Sequence, residues 1–246
     1  IDLIGEEYEL SRFFLAKALD SLAEQVDVVD FEASVKGFLE QVKITLEANR
    51  NAYTIACGTS FNATKVAALF FNEIAKVEII PILPGDFRGE YSNCIKDNDL
   101  IIGVSQSGET NDLIDIFNDI DEKRLNVHKV VLVNNMNSTL GQEKSDVAIP
   151  IPCGPEIAVP ATKSFMNQMT LFYYLAIRTA EMKLSLLPSD DPSLPELKAQ
   201  IERRYQSLWN IPSLLKETID NTAETIDYTA AKIYMEPSLH ILATKI

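Results

Sequence analysis

Positive charge is scarce in this chain. Its 246 residues include 22 Lys and Arg against 36 Asp and Glu, which gives a formal net charge of −14. Because binding to the phosphate backbone of nucleic acids requires clustered Lys and Arg, this balance argues against a nucleic-acid partner. The sequence also lacks an apolar run long enough to cross a bilayer, and no signal-peptide pattern opens it. We therefore expect neither a nucleic-acid partner nor a membrane partner.

Cysteine and histidine are also rare. The three cysteines, Cys57, Cys94 and Cys153, have no spacing typical of a metal site, which predicts reduced thiols in a cytoplasmic protein without a bound metal. Cys57 could act as a nucleophile only with a base beside it. Of the two histidines, His128 precedes a predicted strand and His240 lies in the last one, so neither is placed beside Cys57, and we expect Cys57 to be a buried structural thiol.

The familiar nucleotide-binding motifs are absent. The sequence has no Gly-x-x-x-x-Gly-Lys-Ser/Thr run, and no Gly-x-Gly-x-x-Gly follows a predicted strand. Nucleotide binding therefore has weak support, and we expect no cofactor.

The most informative segment runs from Asp99 to Asp112. Its apolar run Leu100–Val104, bounded by polar residues, predicts a strand buried on both faces of a parallel sheet. Three hydroxyl residues follow, namely Ser105, Ser107 and Thr110. The next apolar residues, 113–117, predict a helix, and hydroxyls beside a helix N-terminus suit a phosphate group. The alternative is that Ser107 caps this helix and Glu109 favours its first turn.

The same order of elements occurs earlier in the chain. Tyr53–Ala56 predicts a strand, small residues follow it, and Asn62–Lys76 predicts a helix. Because parallel strands end at one edge of a sheet, the loop residues Thr59 and Ser60 should share a crevice with the later hydroxyls. The remaining predicted strands are Glu78–Leu83, Lys129–Asn134 and Val147–Ile151. This alternation predicts a doubly wound α/β sandwich.

Helical patterns precede this core. Two segments, Tyr8–Val26 and Phe31–Asn49, have the apolar spacing of amphipathic helices. We expect them to pack on the core or against a second subunit. Residues 1–50 are accordingly assigned to N-terminal helices and residues 51–187 to the core domain.

The remaining residues, 188–246, begin with an acidic linker that contains proline. The pattern then predicts a helix or helix pair over Glu196–Ala231, broken near Pro212, and a strand over Leu239–Thr244. This last strand has no helix to cover it. We therefore expect that more of the natural protein follows Ile246.

Two residues after the fifth strand could take part in ligand binding or catalysis. The loop 152–161 is rich in Pro and Gly, and Thr162 is expected to cap a helix that runs toward Leu187. Lys163 falls in the first turn of that helix, where a cation opposes the helix dipole; it is either solvated or binds an anion. Glu156 is either an acid–base group or a loop carboxylate bonded to nearby backbone.

Three separated motifs resemble the SIS (sugar isomerase) domain family. They read Ala56-Cys57-Gly58-Thr59-Ser60, Ser105-Gln106-Ser107-Gly108-Glu109-Thr110 and Gly154-x-Glu156-Ile157-x-Val159-x-x-Thr162-Lys163-x-Phe165. The resemblance implies a three-layer α/β/α sandwich with a five-stranded parallel sheet, preceded by helices. The phosphate-binding residues that it implies are Ser105, Gln106, Ser107 and Thr110. The sugar-lining residues that it implies are Thr59, Ser60 and Val159.

The third motif departs from the family pattern at one position. The family usually reads Val-Ala-Ser-Thr-Lys, whereas Val159-Pro160-Ala161-Thr162-Lys163 lacks the serine that would touch the sugar. The departure bears on the identity of the sugar more than on the fold.

Within the family, the order and spacing of the motifs most resemble the first of two SIS domains in glutamine–fructose-6-phosphate aminotransferases (glucosamine-6-phosphate synthases). This resemblance implies a fructose 6-phosphate-like ligand and a place in amino-sugar biosynthesis. It also implies that the chain alone lacks a complete catalytic set, because those enzymes take further catalytic residues from a second SIS domain, which residues 188–246 could begin. We expect a homodimer or a contact with such a second domain. The alternatives are a stand-alone sugar-phosphate isomerase or deglycase relative, and a non-catalytic sugar-phosphate sensor.

Overall fold

The computed structural model describes residues 28–151, 153 and 163–235. The predicted helix over Tyr8–Val26, the loop around Glu156 and the predicted strand over Leu239–Thr244 lie outside these residues. Among the described helices, none combines the length and apolar character needed to cross a membrane.

A parallel sheet of five strands forms the centre of the fold. The strands are β1 (Ala52–Ala56), β2 (Ile80–Ile82), β3 (Leu100–Ser105), β4 (His128–Val133) and β5 (Val147–Pro150). Their spatial order is β2-β1-β3-β4-β5, and every neighbouring pair is parallel. All residues of β1 and β3 are buried, which explains why these strands are short runs without polar alternation. The predicted five-stranded parallel sheet is confirmed.

Helices cover both faces of this sheet. They are α1 (Val28–Glu47), α2 (Gly58–Phe70), α3 (Pro84–Asp86), α4 (Asn111–Glu122), α5 (Lys163–Ser185) and α6 (Leu194–Met235). Short π-helical turns occupy Phe71–Ala75, Phe87–Tyr91 and Leu140–Lys144.

The side chains of β3 alternate between two apolar cores. Leu100, Ile102 and Val104 belong to a core that contains buried residues of α1, α2, α5 and α6. Ile101 points to the opposite core, which is built around α4. Helix α4 contributes four buried residues at helical spacing: Leu113, Ile116, Phe117 and Ile120. The two cores on either side of one sheet confirm the three-layer arrangement.

Helix α2 begins four residues earlier than the sequence pattern predicts. The expected start was Asn62, whereas the helix begins at Gly58, and the carbonyl of Cys57 accepts a hydrogen bond from the N–H of Phe61 (3.3 Å). Thr59 and Ser60 therefore lie in the first helical turn and not in a loop. Prediction from apolar spacing missed this turn because its small polar residues carry no apolar periodicity.

Helix α6 corrects a second prediction. The expected break near Pro212 does not occur, since one helix runs from Leu194 to Met235 with Pro212 inside it. A proline removes only one backbone N–H from the helical ladder. On the N-terminal side of the proline, Leu208 is buried and Ile211 packs against the core, and these contacts hold the helix in place.

Candidate functional site

The two hydroxyl-rich segments meet at one edge of the sheet. Strands β1 and β3 are parallel neighbours whose last paired residues are Ala56 and Val104. The chain leaves β1 toward β2 on one side and returns to β3 on the other, so these two strands flank the topological switch point of the sheet. The Sγ of Cys57 lies 4.0 Å from the carboxylate of Asp112, which brings the segment after β1 against the start of α4. Open parallel sheets bind ligands in this crevice.

Ser105 closes the segment after β3 into a tight turn. Its Oγ accepts a hydrogen bond from the N–H of Gly108 (2.9 Å) and lies 2.7 Å from the Oγ1 of Thr110. Gly108 has a φ of +74°, and a Cβ at this position would overlap the buried side chain of Ser138. Glycine is therefore required at Gly108 for the turn to close. We call residues 105–110 the hydroxyl loop.

The segment after β4 supports the hydroxyl loop from the side. The N–H of Asn134 donates to the carbonyl of Gln106 (3.2 Å), and the N–H of Leu140 donates to the carbonyl of Gly108 (3.1 Å). The carboxylate of Glu109 accepts a hydrogen bond from the N–H of Thr139 (2.8 Å). Glu109 is therefore engaged in joining the two loops, which leaves it less suited to act as a free acid–base group.

The side-chain hydroxyls of Ser107 and Thr110 do not cap α4. Thr110 occupies the position before α4, and its side chain makes no capping hydrogen bond. Ser107 is exposed, and its Oγ accepts a hydrogen bond from the N–H of Glu109 (3.1 Å). The alternative in which Ser107 caps the helix is therefore wrong, because the helix begins only at Asn111. The N–H groups of Leu113 and Ile114 donate to the carbonyl of Thr110 (3.0 and 3.1 Å), so those of Asn111 and Asp112 are the N–H groups left at the end of α4 where the hydroxyl loop lies.

Cys57 and His128 do not form a catalytic pair. His128 is the first residue of β4, so it lies at the amino edge of the sheet, away from the crevice. Burial, together with the nearby carboxylate of Asp112, raises the pKa of the Cys57 thiol. Both findings argue against a reactive nucleophile, but the predicted burial of Cys57 is wrong, because its side chain is only half-buried after the end of β1. The described residues also contain no His, Cys, Asp and Glu cluster that could hold a metal ion.

Lys163 is not a solvated lysine. Its side chain is 4% exposed, at the first residue of α5. The alternative in which the cation simply faces water is therefore wrong, and anion binding by Lys163 stays a prediction. Glu156 and Val159, the other predicted residues of this region, lie outside the described residues.

Sequence reasoning missed a buried amide pair on α5. Asn167 and Gln168 are each 1% exposed, and the Nε2 of Gln168 donates a hydrogen bond to the Oγ of Ser60 (3.0 Å). Neither polar atom of the Asn167 side chain has a hydrogen-bond partner within the described part of the chain. The sequence feature that could have revealed this pair is that two adjacent amide residues interrupt the apolar series Met166, Met169, Leu171 and Phe172.

Comparison with known proteins agrees with this geometry. The family model described as SIS domain matches residues 45–178, which is more than half of the chain and includes β1 through most of α5. The chain belongs to the SIS domain family. The resemblance of the three motifs is thereby confirmed.

The relatives of this SIS domain include much longer proteins. It is 32% identical over 239 residues to the glutamine–fructose-6-phosphate aminotransferase [isomerizing] of Aquifex aeolicus (strain VF5), a match that covers 96% of this chain and 35% of that protein. The aminotransferase of the same name from Clostridium perfringens (strain 13 / Type A) is 30% identical over 208 residues, covering 83% of this chain and 32% of that protein. The chain thus spans about a third of the length of the curated relatives it matches.

A solved structure shows the same relationship. The C-terminal domain of glucosamine-fructose-6-phosphate aminotransferase from Francisella tularensis superimposes with a TM-score of 0.67 at 27% sequence identity. The match covers 90% of this chain and 56% of that one. The chain is therefore homologous to the isomerase part of these aminotransferases.

Proposed function

We propose that this SIS domain binds a hexose 6-phosphate, of the fructose 6-phosphate type, as part of an isomerising aminotransferase. The observation that carries the proposal is the hydroxyl loop, which lies at the topological switch point directly before the N-terminus of α4. A phosphate there would accept hydrogen bonds from hydroxyls and from helix N–H groups. The homology to the aminotransferase isomerase domain supports the same ligand class.

The hydroxyl loop can offer hydrogen-bond donors to a ligand while it stays folded. Ser105 and Thr110 are bonded to each other through their hydroxyls, and either oxygen can be the donor. One hydroxyl proton can therefore turn toward a phosphate while the loop keeps its backbone bonds. Ser107 is exposed and needs no such change to reach a ligand. The amide of Gln106, half-buried in the same loop, would add a further donor.

The sugar would lie toward α2 and α5. Thr59 and Ser60 lie in the first turn of α2, which follows β1 at the same edge of the sheet as the hydroxyl loop. Val159 would complete the sugar subsite, Lys163 would balance the phosphate charge, and Glu156 would serve as an acid–base group. A proton transfer between two sugar carbons also requires a second base, so we expect the chain alone to bind substrate and barely turn it over.

Calorimetric titration tests the proposal. We expect the chain to bind fructose 6-phosphate in preference to fructose, because the hydroxyl loop would contact the phosphate. The double variant Ser107→Ala/Thr110→Ala should bind about 2–4 kcal/mol more weakly, given charge-assisted hydrogen bonds. Equal affinities for the phosphorylated and free sugar would contradict the proposal.

A matched control is available on α6. The hydroxyls of Ser207 and Thr218 bond to carbonyls of their own helix, at Arg203 and Leu214, and both side chains are exposed. The variant Ser207→Ala/Thr218→Ala removes the same atoms away from the crevice. It should bind fructose 6-phosphate as the unmodified chain does.

A further inference from the structure

A cavity of about 230 Å³ lies between three helical segments, far from the crevice. The π-helical turn Phe71–Ala75, the last turns of α5 and the first turns of α6 enclose it. Helix α2 begins at Gly58, directly after β1, and continues through this π-helical turn. At about 1.5 Å per residue, roughly 25 Å therefore separates the cavity from the edge of the sheet at which the hydroxyl loop lies.

Most of the cavity wall is apolar. Its apolar lining includes Ile74, Ala180, Leu184, Leu197 and Ile201. Protein interiors contain few voids larger than a water molecule, and this cavity has room for several waters at about 30 Å³ each. Because an apolar wall offers those waters few hydrogen-bond partners, an apolar group would displace them favourably.

The charges on the cavity wall are mostly positive. Lys76, Lys183 and Arg204 line the cavity, and Glu73 is the only carboxylate that lines it among the described residues. Glu73 pairs with Arg204 at the surface, where an ion pair contributes little to stability. This local excess of cations contrasts with the net charge of −14 for the whole chain. An anion is therefore attracted here and repelled by most of the remaining surface.

Lys183 has donor capacity left for a ligand. Its Nζ donates to the carbonyls of Ala75 (2.8 Å) and Lys76 (3.0 Å), at the end of the π-helical turn. A lysine ammonium carries three protons, so these two bonds leave one available. Burial lowers the pKa of Lys183, as expected for a cation whose charge is balanced only by carbonyl dipoles.

We propose that this cavity binds a small organic anion with an apolar body, whose charged group contacts Lys183 and whose apolar part packs against α5 and α6. The cavity lies outside the crevice, so this proposal does not depend on the proposed function. A bound anion would contact three helical segments that come together only in the folded chain. It would therefore raise the melting temperature.

Three ligands with the same six-carbon tail test the proposal. In calorimetric titration, hexanoate should bind about tenfold or more tightly than hexanol, because only the carboxylate gains a charge-assisted hydrogen bond. Hexylammonium, a cation, should bind more weakly than either. Saturating fructose 6-phosphate should leave the hexanoate affinity unchanged, since the two sites are far apart. Hexanoate should also raise the melting temperature in a thermal unfolding scan.

Two variants separate the charge from the apolar contact. Lys183→Met removes the cation and should weaken hexanoate about tenfold or more, to the level of hexanol. Leu197→Trp fills the cavity and should abolish the binding of both ligands. Lys36→Met is the matched control, since Lys36 is an exposed lysine on α1 that does not line the cavity.

Several results would overturn the proposal. Absence of hexanoate binding would do so, as would equal affinities for hexanoate and hexanol, or displacement of hexanoate by fructose 6-phosphate. Unchanged hexanoate binding in Lys183→Met or in Leu197→Trp would overturn it as well. If Lys183→Met fails to fold, Lys183→Gln decides, because it keeps a donor for the carbonyls and removes the charge. Failure of the chain to bind fructose 6-phosphate would instead overturn the proposed function alone.

Discussion

Replacing Gly108 with alanine tests whether the hydroxyl loop depends on a single backbone conformation. Gly108 has a φ of +74°, a left-handed conformation that costs a residue with a Cβ about 1–2 kcal/mol. The new Cβ would also overlap the side chain of Ser138, which is fully buried and cannot move aside without disturbing its packing. Overpacking of this kind costs about 1–3 kcal/mol. We therefore expect Gly108→Ala to lower the free energy of unfolding by roughly 2–5 kcal/mol.

Two other glycines separate these contributions. Gly58 has a φ of +57°, but a Cβ there would meet nothing within 4 Å, so Gly58→Ala reports the backbone cost alone. Gly85 has open space around it and no left-handed conformation, so Gly85→Ala should be close to neutral. Urea unfolding of the three variants measures each loss on the same scale.

The variants test the backbone cost and the steric cost separately. Equal losses for Gly58→Ala and Gly108→Ala would show that the overlap with Ser138 has no energetic consequence. A neutral Gly108→Ala would show that the loop tolerates another conformation. If both terms operate, Gly108→Ala/Ser138→Gly should regain the steric part of the loss and keep the backbone part.

Three further predictions concern stability, reactivity and assembly. Asp99→Asn should cost about 2–4 kcal/mol in urea unfolding, because the buried carboxylate accepts hydrogen bonds from the Arg50 guanidinium and from two backbone N–H groups; a loss below about 1 kcal/mol would argue against this role. The pKa of Cys57 is raised by burial and by Asp112, so less thiolate is present at neutral pH than in an ordinary cysteine, and its alkylation rate should climb only at higher pH. Asp112→Asn should speed that alkylation near neutral pH, and an unchanged rate would remove the electrostatic part of the explanation. Finally, we expect a homodimer or a contact with a second SIS domain that buries well over ~1,200 Å²; a monomer by light scattering at high concentration would count against the homodimer.

The strands were predictable because burial on both faces leaves a simple pattern. Leu100–Val104 is a short apolar run between polar residues, and it became β3 with one added residue, Ser105. The same reasoning located β1 and β4 to within one residue at each end. The position of the hydroxyl loop followed, since parallel strands of one sheet end at the same edge.

Other features depend on contacts that no local pattern contains. The bond between Gln168 and Ser60 joins residues far apart in sequence, and the support of Glu109 by Thr139 comes from a neighbouring loop. The break predicted at Pro212 failed for a different reason. The prediction considered only the tendency of proline to break a helix, and it left out the contacts that hold the rest of this long helix in place.

A crystal structure of the chain with fructose 6-phosphate would show directly whether the hydroxyl loop binds phosphate. The phosphate should lie within hydrogen-bonding distance of Ser107, Thr110 and the first N–H groups of α4, with the sugar extending toward Ser60. A phosphate bound away from the hydroxyl loop, or a sugar directed away from α2, would contradict this prediction.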